Sequence, residues 1–397
     1  MNLFSLLVCR HLIKDKVISN LSNEFYATDI TVSLIDKAEK LGLSGNLIRG
    51  YLINLLTEKP NLVSQTIEKS GGKIGESLKK AFINDIKILQ PILKNSIKFV
   101  ENEFVNNYQP TILKTNKNLI EIEKLIDNAK NTEEIAEIFI NYYRQYGYGD
   151  IANYRAFRWD NKLIGIKHFE NMQLSDLIGY DHQKELLIGN TEAFINKKPA
   201  NNVLLVGARG TGKSSSVKSL ANEYYDRGLR LLQLTKPQLK NLPEIMEELR
   251  QFASKRFIIF LDDLSFEESE AEYKYLKSAI EGSVEARPEN VLIYATSNRR
   301  HLIRETWRDR NDSQDELYRD DSVNETISLS DRFGLIIYYY APSQAEYLEI
   351  IRFMLKKQGI ELDDEKLRVE GLRWEMTHSG RNGRTAQQFV TNYLGQR

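Results

Sequence analysis

A glycine-rich segment carries the residue types that bind phosphate groups. It reads Gly207-Ala208-Arg209-Gly210-Thr211-Gly212-Lys213-Ser214, with an apolar run before it and a helical pattern beginning near Lys213. This spacing fits a P-loop, in which glycines let successive backbone N–H groups face phosphate oxygens and the helix start favours negative charge. We therefore expect Lys213 to reach the β and γ phosphates of a nucleotide and Ser214 to ligate magnesium.

Two acids follow an apolar run further along the chain. Phe257 to Leu261 predicts a buried strand, and Asp262 and Asp263 come directly after it. An acid at such a strand end can hold magnesium through water, and its neighbour can orient or deprotonate an attacking water molecule. We assign the first role to Asp262 and the second to Asp263. Any core strand can end in an acidic turn, so the functional interpretation of these two acids depends on the P-loop that precedes them.

A third strand pattern ends in an amide. Tyr294-Ala295-Thr296-Ser297-Asn298 places Asn298 where it could hydrogen-bond the γ-phosphate or the attacking water. Asparagine is also common in turns that bind nothing. We favour the functional interpretation because the same chain supplies the other two motifs.

Short apolar runs alternate with helical stretches from Ile178 onward, which is typical of a parallel α/β sheet. After Pro342 the pattern is helical to the end. Five runs predict strands, namely Val203 to Val206, Leu229 to Leu234, Phe257 to Leu261, Val291 to Thr296 and Leu335 to Tyr340.

The N-terminal part has a helical pattern instead. Apolar residues recur three and four apart between Asp29 and Tyr146, and a helix from Thr132 opens at Asn131. The apolar run Leu3 to Cys9 is interpreted as one face of a further helix. We predict an all-α N-terminal domain over 1–165, an α/β nucleotide-binding core over 166–342 and a small helical lid over 343–397.

Composition limits the class of protein. The chain has 397 residues, 41% of them hydrophobic, and its 55 basic residues balance its 55 acidic ones. No overall field draws it to nucleic acid or to an anionic membrane. No apolar stretch is long enough to span a bilayer. A single cysteine, Cys9, and the lack of a secretory signal favour the cytoplasm, and Cys9 is expected to be a small buried apolar residue.

Together these motifs resemble the AAA+ superfamily over about Leu174 to Arg397. Shorter stretches, among them Leu177 to Asp181 and Asp262 to Phe266, look like an uncharacterised bacterial family of predicted AAA+ ATPases. The resemblance implies a five-stranded parallel sheet in the order 5-1-4-3-2. It also implies that the nucleotide base lies against Ile178 and Gly179.

The resemblance implies further roles for arginines. A lid arginine that contacts the γ-phosphate matches Arg384 best, with Arg381 as the second choice. Arg332 matches an arginine finger that acts in trans on a neighbouring subunit of a homo-oligomer. The expected cofactor-binding residues are Ile178, Gly179, Gly207, Ala208, Arg209, Gly210, Thr211, Gly212, Lys213, Ser214 and Ser215, the catalytic residues Asp263, Asn298, Arg332 and Arg384, and the metal ligands Ser214 and Asp262.

The leading hypothesis is therefore a magnesium-dependent ATPase that couples ATP binding and hydrolysis to conformational change on an unknown protein target. AAA+ hydrolases usually carry glutamate where this chain has Asp263, which favours ATP binding over rapid turnover. Two alternatives stay open: a nucleotide-gated binding module with slow hydrolysis, and a nucleic-acid-associated ATPase, against which the balanced charge weighs. The densely charged stretch from Arg299 to Glu325 is expected to be a solvated loop or a partner-facing insert.

Overall fold

The structure is a computed structural model, which describes residues 2–21, 27–96, 102–113, 117–267, 272–281, 287–298, 302–304 and 329–396. The chain divides into two compact units, one formed by Met1–Tyr154 with Gln251–Lys255 and the other by Arg155–Arg250 with Arg256–Arg397. The predicted boundary after residue 165 differs from this division. Most of the charged stretch from Arg299 to Glu325 lies outside the described residues.

The described residues of the first unit form helices joined by turns and loops, with one isolated β-bridge between Gly45 and Tyr108. Its helices are α1 (Lys16–Asn20), α2 (Ala27–Leu41), α3 (Leu47–Glu58), α4 (Leu62–Lys69), α5 (Glu76–Leu93), α6 (Glu103–Asn106), α7 (Lys117–Asn128), α8 (Thr132–Gln145) and α9 (Gly149–Asn153). The apolar periodicity of α2 and α3 marks their buried faces, since Leu34, Ala38 and Leu52 are fully buried. The predicted cap of α8 is present, because the Asn131 side chain accepts the Glu134 N–H at 2.8 Å.

The interpretation of Leu3 to Cys9 as a helix face is wrong. Leu3–Ser5 is a short 3₁₀ turn, and the chain then bends before a second turn at Arg10–Lys14. The reason is a buried carboxylate, because Asp85 accepts the backbone N–H groups of Leu7, Val8 and Cys9 at 2.7 to 2.8 Å. Cys9 is buried with a free thiol, as expected.

The second unit is built on a sheet of seven strands, so the prediction of five is wrong. The strands are β1 (Ala156–Trp159), β2 (Leu163–Gly165), β3 (Val203–Gly207), β4 (Leu229–Leu234), β5 (Arg256–Leu261), β7 (Val291–Ser297) and β9 (Leu335–Tyr339), in the order β2-β1-β4-β5-β7-β3-β9. A separate pair joins β6 (Phe266–Glu267) to β8 (Ile303–Arg304). The two sheet strands beyond these five are a short antiparallel hairpin, and its strand β1 pairs in parallel with β4.

Central strands β5 and β7 are buried along their whole length. Buried parallel strands require apolar residues on both faces, which is why these segments are continuous apolar runs. Their carboxyl ends, together with that of β3, lie at the same edge of the sheet. This edge therefore receives the polar residues that follow each strand.

Helices surround this sheet and close the chain. They are α10 (Asp181–Ile195), α11 (Lys213–Glu223), α12 (Leu242–Arg250) and α13 (Glu272–Glu281), followed by α14 (Gln344–Lys357), α15 (Asp364–Thr377) and α16 (Gly383–Gly395). The last three pack around a small core of their own that includes Tyr347, Ile351 and Phe389. We call α14 to α16 the lid. Within the described ranges, no helix is both long and apolar enough to cross a membrane.

Candidate nucleotide-binding site

The glycine-rich loop lies between β3 and α11. Gly210 and Gly212 have φ values of 74° and 88°, a left-handed conformation that glycine adopts without strain. At Gly207 a Cβ atom would lie 1.9 Å from the Tyr339 carbonyl oxygen of the neighbouring strand, so a side chain has no room there. The glycines of this motif are thus required by backbone conformation and close approach.

The Lys213 ammonium group lies inside the loop. Its Nζ donates to the carbonyl oxygens of Gly207 and Ala208 at 2.8 and 2.6 Å, and to Asn298 Oδ1 at 3.0 Å. Burial lowers the pKa of Lys213, while Asp263 and Asp262 act in the opposite direction. A desolvated ammonium group inside such a loop attracts phosphate more strongly than an ammonium group exposed to water does.

Ser214 and Asp262 form the oxygen pair on the other side of the loop. The Ser214 hydroxyl donates to Asp262 Oδ1 at 2.5 Å. Magnesium prefers hard oxygen ligands and typically keeps several waters, taking one or two carboxylates plus phosphate oxygens. In the described part of the chain no group of three or more His, Cys, Asp or Glu side chains converges, so a metal here would need phosphate and water oxygens as well. The residues present fit a nucleotide-bound magnesium ion.

Asp263 and Asn298 meet across adjacent strand ends. The Asn298 amide Nδ2 donates to Asp263 Oδ1 at 2.5 Å, while its Oδ1 accepts from Lys213 at 3.0 Å. Asn298 therefore links the P-loop lysine to the second acid. This arrangement brings together three residues that the sequence placed in three separate motifs.

Thr296 is a residue of this network that the sequence argument did not single out. Its side chain is 2% exposed, and its hydroxyl donates to Asp262 Oδ1 at 2.7 Å and accepts the Asp263 N–H at 2.9 Å. Thr296 lies two positions before Asn298 in a strand that also contains Ser297. Threonine is common in strands, so the sequence offers no strong signal for it.

A cavity of about 640 Å³ opens above these residues. Among the predicted site residues, its lining includes Ile178, Arg209, Gly210, Thr211, Gly212, Lys213, Ser214, Ser215, Asp262, Asp263, Asn298 and Arg384. Gly179, Gly207, Ala208 and Arg332 are not part of the lining. Apolar side chains that include Met172, Leu177, Ile350 and Met354 complete the wall, so one cavity offers both charged and apolar surfaces.

The predicted arginines differ in their surroundings. Arg384 lines the cavity, and no residue in the described ranges forms a hydrogen bond or ion pair with it. Arg381 instead forms an ion pair with Glu375 at 2.9 Å within the lid. Arg332 forms an ion pair with Glu281 of α13, away from the cavity lining.

The lid touches the P-loop directly. The Gly383 N–H donates to the Gly210 carbonyl oxygen at 2.8 Å, and a Cβ atom on Gly210 would lie 2.5 Å from Asn382 Oδ1. Lys357 of α14 also forms an ion pair with Asp176 in the cavity wall. Burial alone would raise the pKa of Asp176, but the Gln173 N–H and Lys357 outweigh it, so this pKa is lowered.

These features define a class of protein. A P-loop after β3, acids after the buried strand β5 two places along the sheet, and a helical lid over one cavity are the features of a P-loop nucleotide-binding protein with an AAA+-like α/β fold. Residues 152–397 match the family described as Protein of unknown function (DUF815). This match covers more than half of the chain, which therefore belongs to that family.

The similarity of the chain to individual proteins is low in both sequence identity and TM-score. The chain is 23% identical to the Replication factor C small subunit of Haloarcula marismortui over 143 residues, covering 34% of this chain and 41% of that protein. The Thermotoga maritima RuvB Holliday junction branch migration motor is 19% identical, with a TM-score of 0.37 over 55% of this chain and 63% of RuvB. For C. elegans PCH-2 the identity is 16% and the TM-score 0.38, over 56% and 65%.

The chain thus spans less than two thirds of each of these proteins. Because the TM-scores are low, the class of protein rests on the sheet, the P-loop and the acids themselves.

Proposed function

We propose that this protein is a magnesium-dependent ATPase of the AAA+ type, which couples ATP binding and hydrolysis to conformational change on an unidentified protein target. One observation carries the proposal: Lys213, Ser214, Asp262, Asp263 and Asn298 are joined through Thr296 into one continuous hydrogen-bonded network. This network lies in a cavity that Arg384 of the lid also lines. Cations for phosphates, oxygens for a metal and a carboxylate for water are thereby within one site.

Each residue would have a distinct task. Loop N–H groups and Lys213 would hold the β and γ phosphates, while Ser214 and Asp262 would hold magnesium, which supplies positive charge to polarise the phosphate oxygens. Asp263 and Asn298 would orient a water molecule. Its oxygen attacks the γ-phosphorus, the bond to the β–γ bridging oxygen breaks, and ADP leaves while Asp263 accepts the proton.

The apolar wall of the cavity suits the base. Leu177, Ile178, Ile350 and Met354 offer surface against which a planar ring can pack. Ile178 also packs against the core of the lid. Binding of the base would therefore contact both the segment before α10 and the lid, which gives the nucleotide a means to change the lid position.

A calorimetric titration with ATP tests the site. Lys213→Ala removes the buried cation, and we expect ATP affinity to fall at least about tenfold, because hydrogen bonds to charged groups contribute roughly 1.5 to 3 kcal/mol. Lys218→Ala is the matched control, since Lys218 lies on the same helix but pairs with Glu170 at 3.2 Å, outside the cavity lining. Unchanged affinity in Lys213→Ala would refute the assignment.

A nucleotide-gated binding module is the second candidate. Two observations favour it: Asp263 is shorter than the usual glutamate, and Arg332 is held by Glu281 within its own chain. In that case ATP binding would order the lid, and the ordered lid would recruit a partner. Slow hydrolysis would only return the lid to its state before ATP binding. Steady-state turnover separates the candidates, because a ring motor predicts hydrolysis that depends on protein concentration.

A further inference from the structure

The second acid has an unusual backbone conformation. Asp263 has a φ of 52°, in the left-handed region that aspartate and asparagine enter more readily than other side chains. Backbone conformation sets the direction in which Cβ leaves the chain. The left-handed turn therefore determines where this short carboxylate points, and it points to Asn298 Nδ2 at 2.5 Å.

One hydroxyl contacts both acids at this turn. Thr296 Oγ1 accepts the backbone N–H of Asp263 at 2.9 Å and donates its own proton to Asp262 Oδ1 at 2.7 Å. A hydroxyl has a single proton to donate, so the proton directed at Asp262 leaves only lone pairs for the Asp263 N–H. Thr296 is 2% exposed in the middle of the sheet, where its rotamer is fixed by packing.

We propose that Thr296 is a positioning residue that orients both Asp262 and Asp263. Its hydroxyl holds the Asp263 peptide in the left-handed turn, so that a short carboxylate reaches the place for activating water, and orients Asp262 toward Ser214. This inference rests on the proposed function, because the orientation of the two acids matters only if magnesium and ATP bind between the P-loop and these acids. It also gives Asp263 a geometric reason to be aspartate.

The variants Thr296→Val and Thr296→Ser test the hydroxyl. Valine has nearly the same shape as threonine and suits a buried strand, so Thr296→Val removes both hydrogen bonds while keeping the packing. Thr296→Ser keeps the hydroxyl and loses a methyl group. Three quantities are measured: the dissociation constant for ATP without metal, the affinity for Mn²⁺ as a spectroscopic probe in the presence of ATP, and kcat.

For Thr296→Val we expect an unchanged metal-free ATP affinity, which also shows that the protein is folded. Mn²⁺ affinity and kcat should each fall about 10- to 100-fold, the usual effect of losing a residue that orients a metal ligand. Thr296→Ser should restore both toward the wild-type values. Asp263→Glu should hydrolyse ATP more slowly than wild type, because glutamate enters the left-handed region less readily and its carboxylate extends further.

Several outcomes overturn the inference. The first is a Thr296→Val variant whose Mn²⁺ affinity and kcat equal those of the wild type. The second is a Thr296→Ser variant whose Mn²⁺ affinity and kcat are as low as those of Thr296→Val. The third is an Asp263→Glu variant that hydrolyses ATP faster than the wild type. If the wild-type protein binds ATP without measurable turnover, the Mn²⁺ affinities decide. If the wild-type protein binds no ATP at all, the proposed function fails together with this inference, and that failure is visible before any variant is made.

Discussion

At the scale of single residues, the two lid arginines show how surroundings decide a role. Arg381 and Arg384 are three positions apart, yet only Arg384 lines the cavity, whereas Arg381 pairs with Glu375. A guanidinium group that is already paired with a carboxylate must exchange that partner before it can bind phosphate, although breaking a pair that is accessible to solvent costs little binding energy. Arg384 has no such partner in the described ranges, so it can bind a phosphate without giving up an ion pair.

We predict that Arg384→Ala weakens ATP binding about tenfold or more, since it removes a charge-assisted contact to phosphate. ADP, which lacks the γ-phosphate, should lose less affinity. Arg381→Ala is the control and should leave both affinities nearly unchanged while it destabilises the lid. Titrations of each variant with ATP and ADP check this, and an equal effect of the two substitutions would contradict it.

Much of the site could be predicted from the sequence because it depends on residues whose types are chemically distinctive. The P-loop, Asp262 with Asp263, and Asn298 stand at strand ends that the apolar runs mark clearly, and parallel strands bring those ends together. Thr296 could not be found in this way, since threonine is an ordinary strand residue. The ion pair between Arg332 and Glu281 joins segments with no shared sequence pattern.

At the scale of elements, long apolar runs predicted five strands, including β9 at one edge of the sheet, but did not mark the hairpin at the other edge. Strands β3, β4, β5, β7 and β9 are long enough for an apolar run to be recognised. Strand β1 has four residues with an exposed Arg158 among them, and β2 has three. Such short segments carry little periodicity, and only their pairing with each other and with β4 makes them strands.

The segment that precedes β5 is fixed by a buried ion pair within the first unit. Lys255 Nζ lies 3.2 Å from Glu68 Oε1, and the two side chains are 0% and 2% exposed. The ammonium group also donates to the carbonyl oxygens of Tyr143 and Arg144 at 3.1 and 2.9 Å. These additional contacts compensate the cost of burying the charge.

We predict that Lys255→Met lowers the free energy of unfolding by about 3 to 5 kcal/mol, because Glu68 is left as a buried charge without its cation. The double variant Lys255→Met with Glu68→Leu should recover part of that loss. Lys69→Met, at an exposed position next to Glu68, is the control and should change stability by less than about 0.5 kcal/mol. Denaturation by urea measures all three, and a Lys255→Met protein as stable as wild type would be inconsistent with the buried pair.

At the scale of the whole molecule, the proposed homo-oligomer can be tested at a single arginine. Arg332 is the residue expected to act on a neighbouring subunit, and in this chain it is paired with Glu281. Its side chain is 22% exposed and that of Glu281 43%, so the pair is accessible to solvent and is worth little. Breaking this ion pair would therefore cost little binding energy.

We predict that turnover per subunit rises with protein concentration and that Arg332→Ala removes this rise, since an arginine finger stabilises charge on the transferred phosphoryl group. Glu281→Gln removes this ion pair and should keep the concentration dependence. Hydrolysis assays over a range of protein concentrations, with sedimentation of the same samples, test the point. Turnover that is independent of concentration in every variant would instead favour the nucleotide-gated module.

We expect a nucleoside triphosphate with magnesium to bind between the P-loop and the two acids. A crystal structure with a non-hydrolysable ATP analogue and Mg²⁺ measures this most directly. We predict that triphosphate oxygens lie on the loop N–H groups and Lys213, with the metal beside Ser214 and Asp262. A nucleotide found elsewhere, or phosphates that leave Lys213 bound to Gly207 and Ala208, would contradict it.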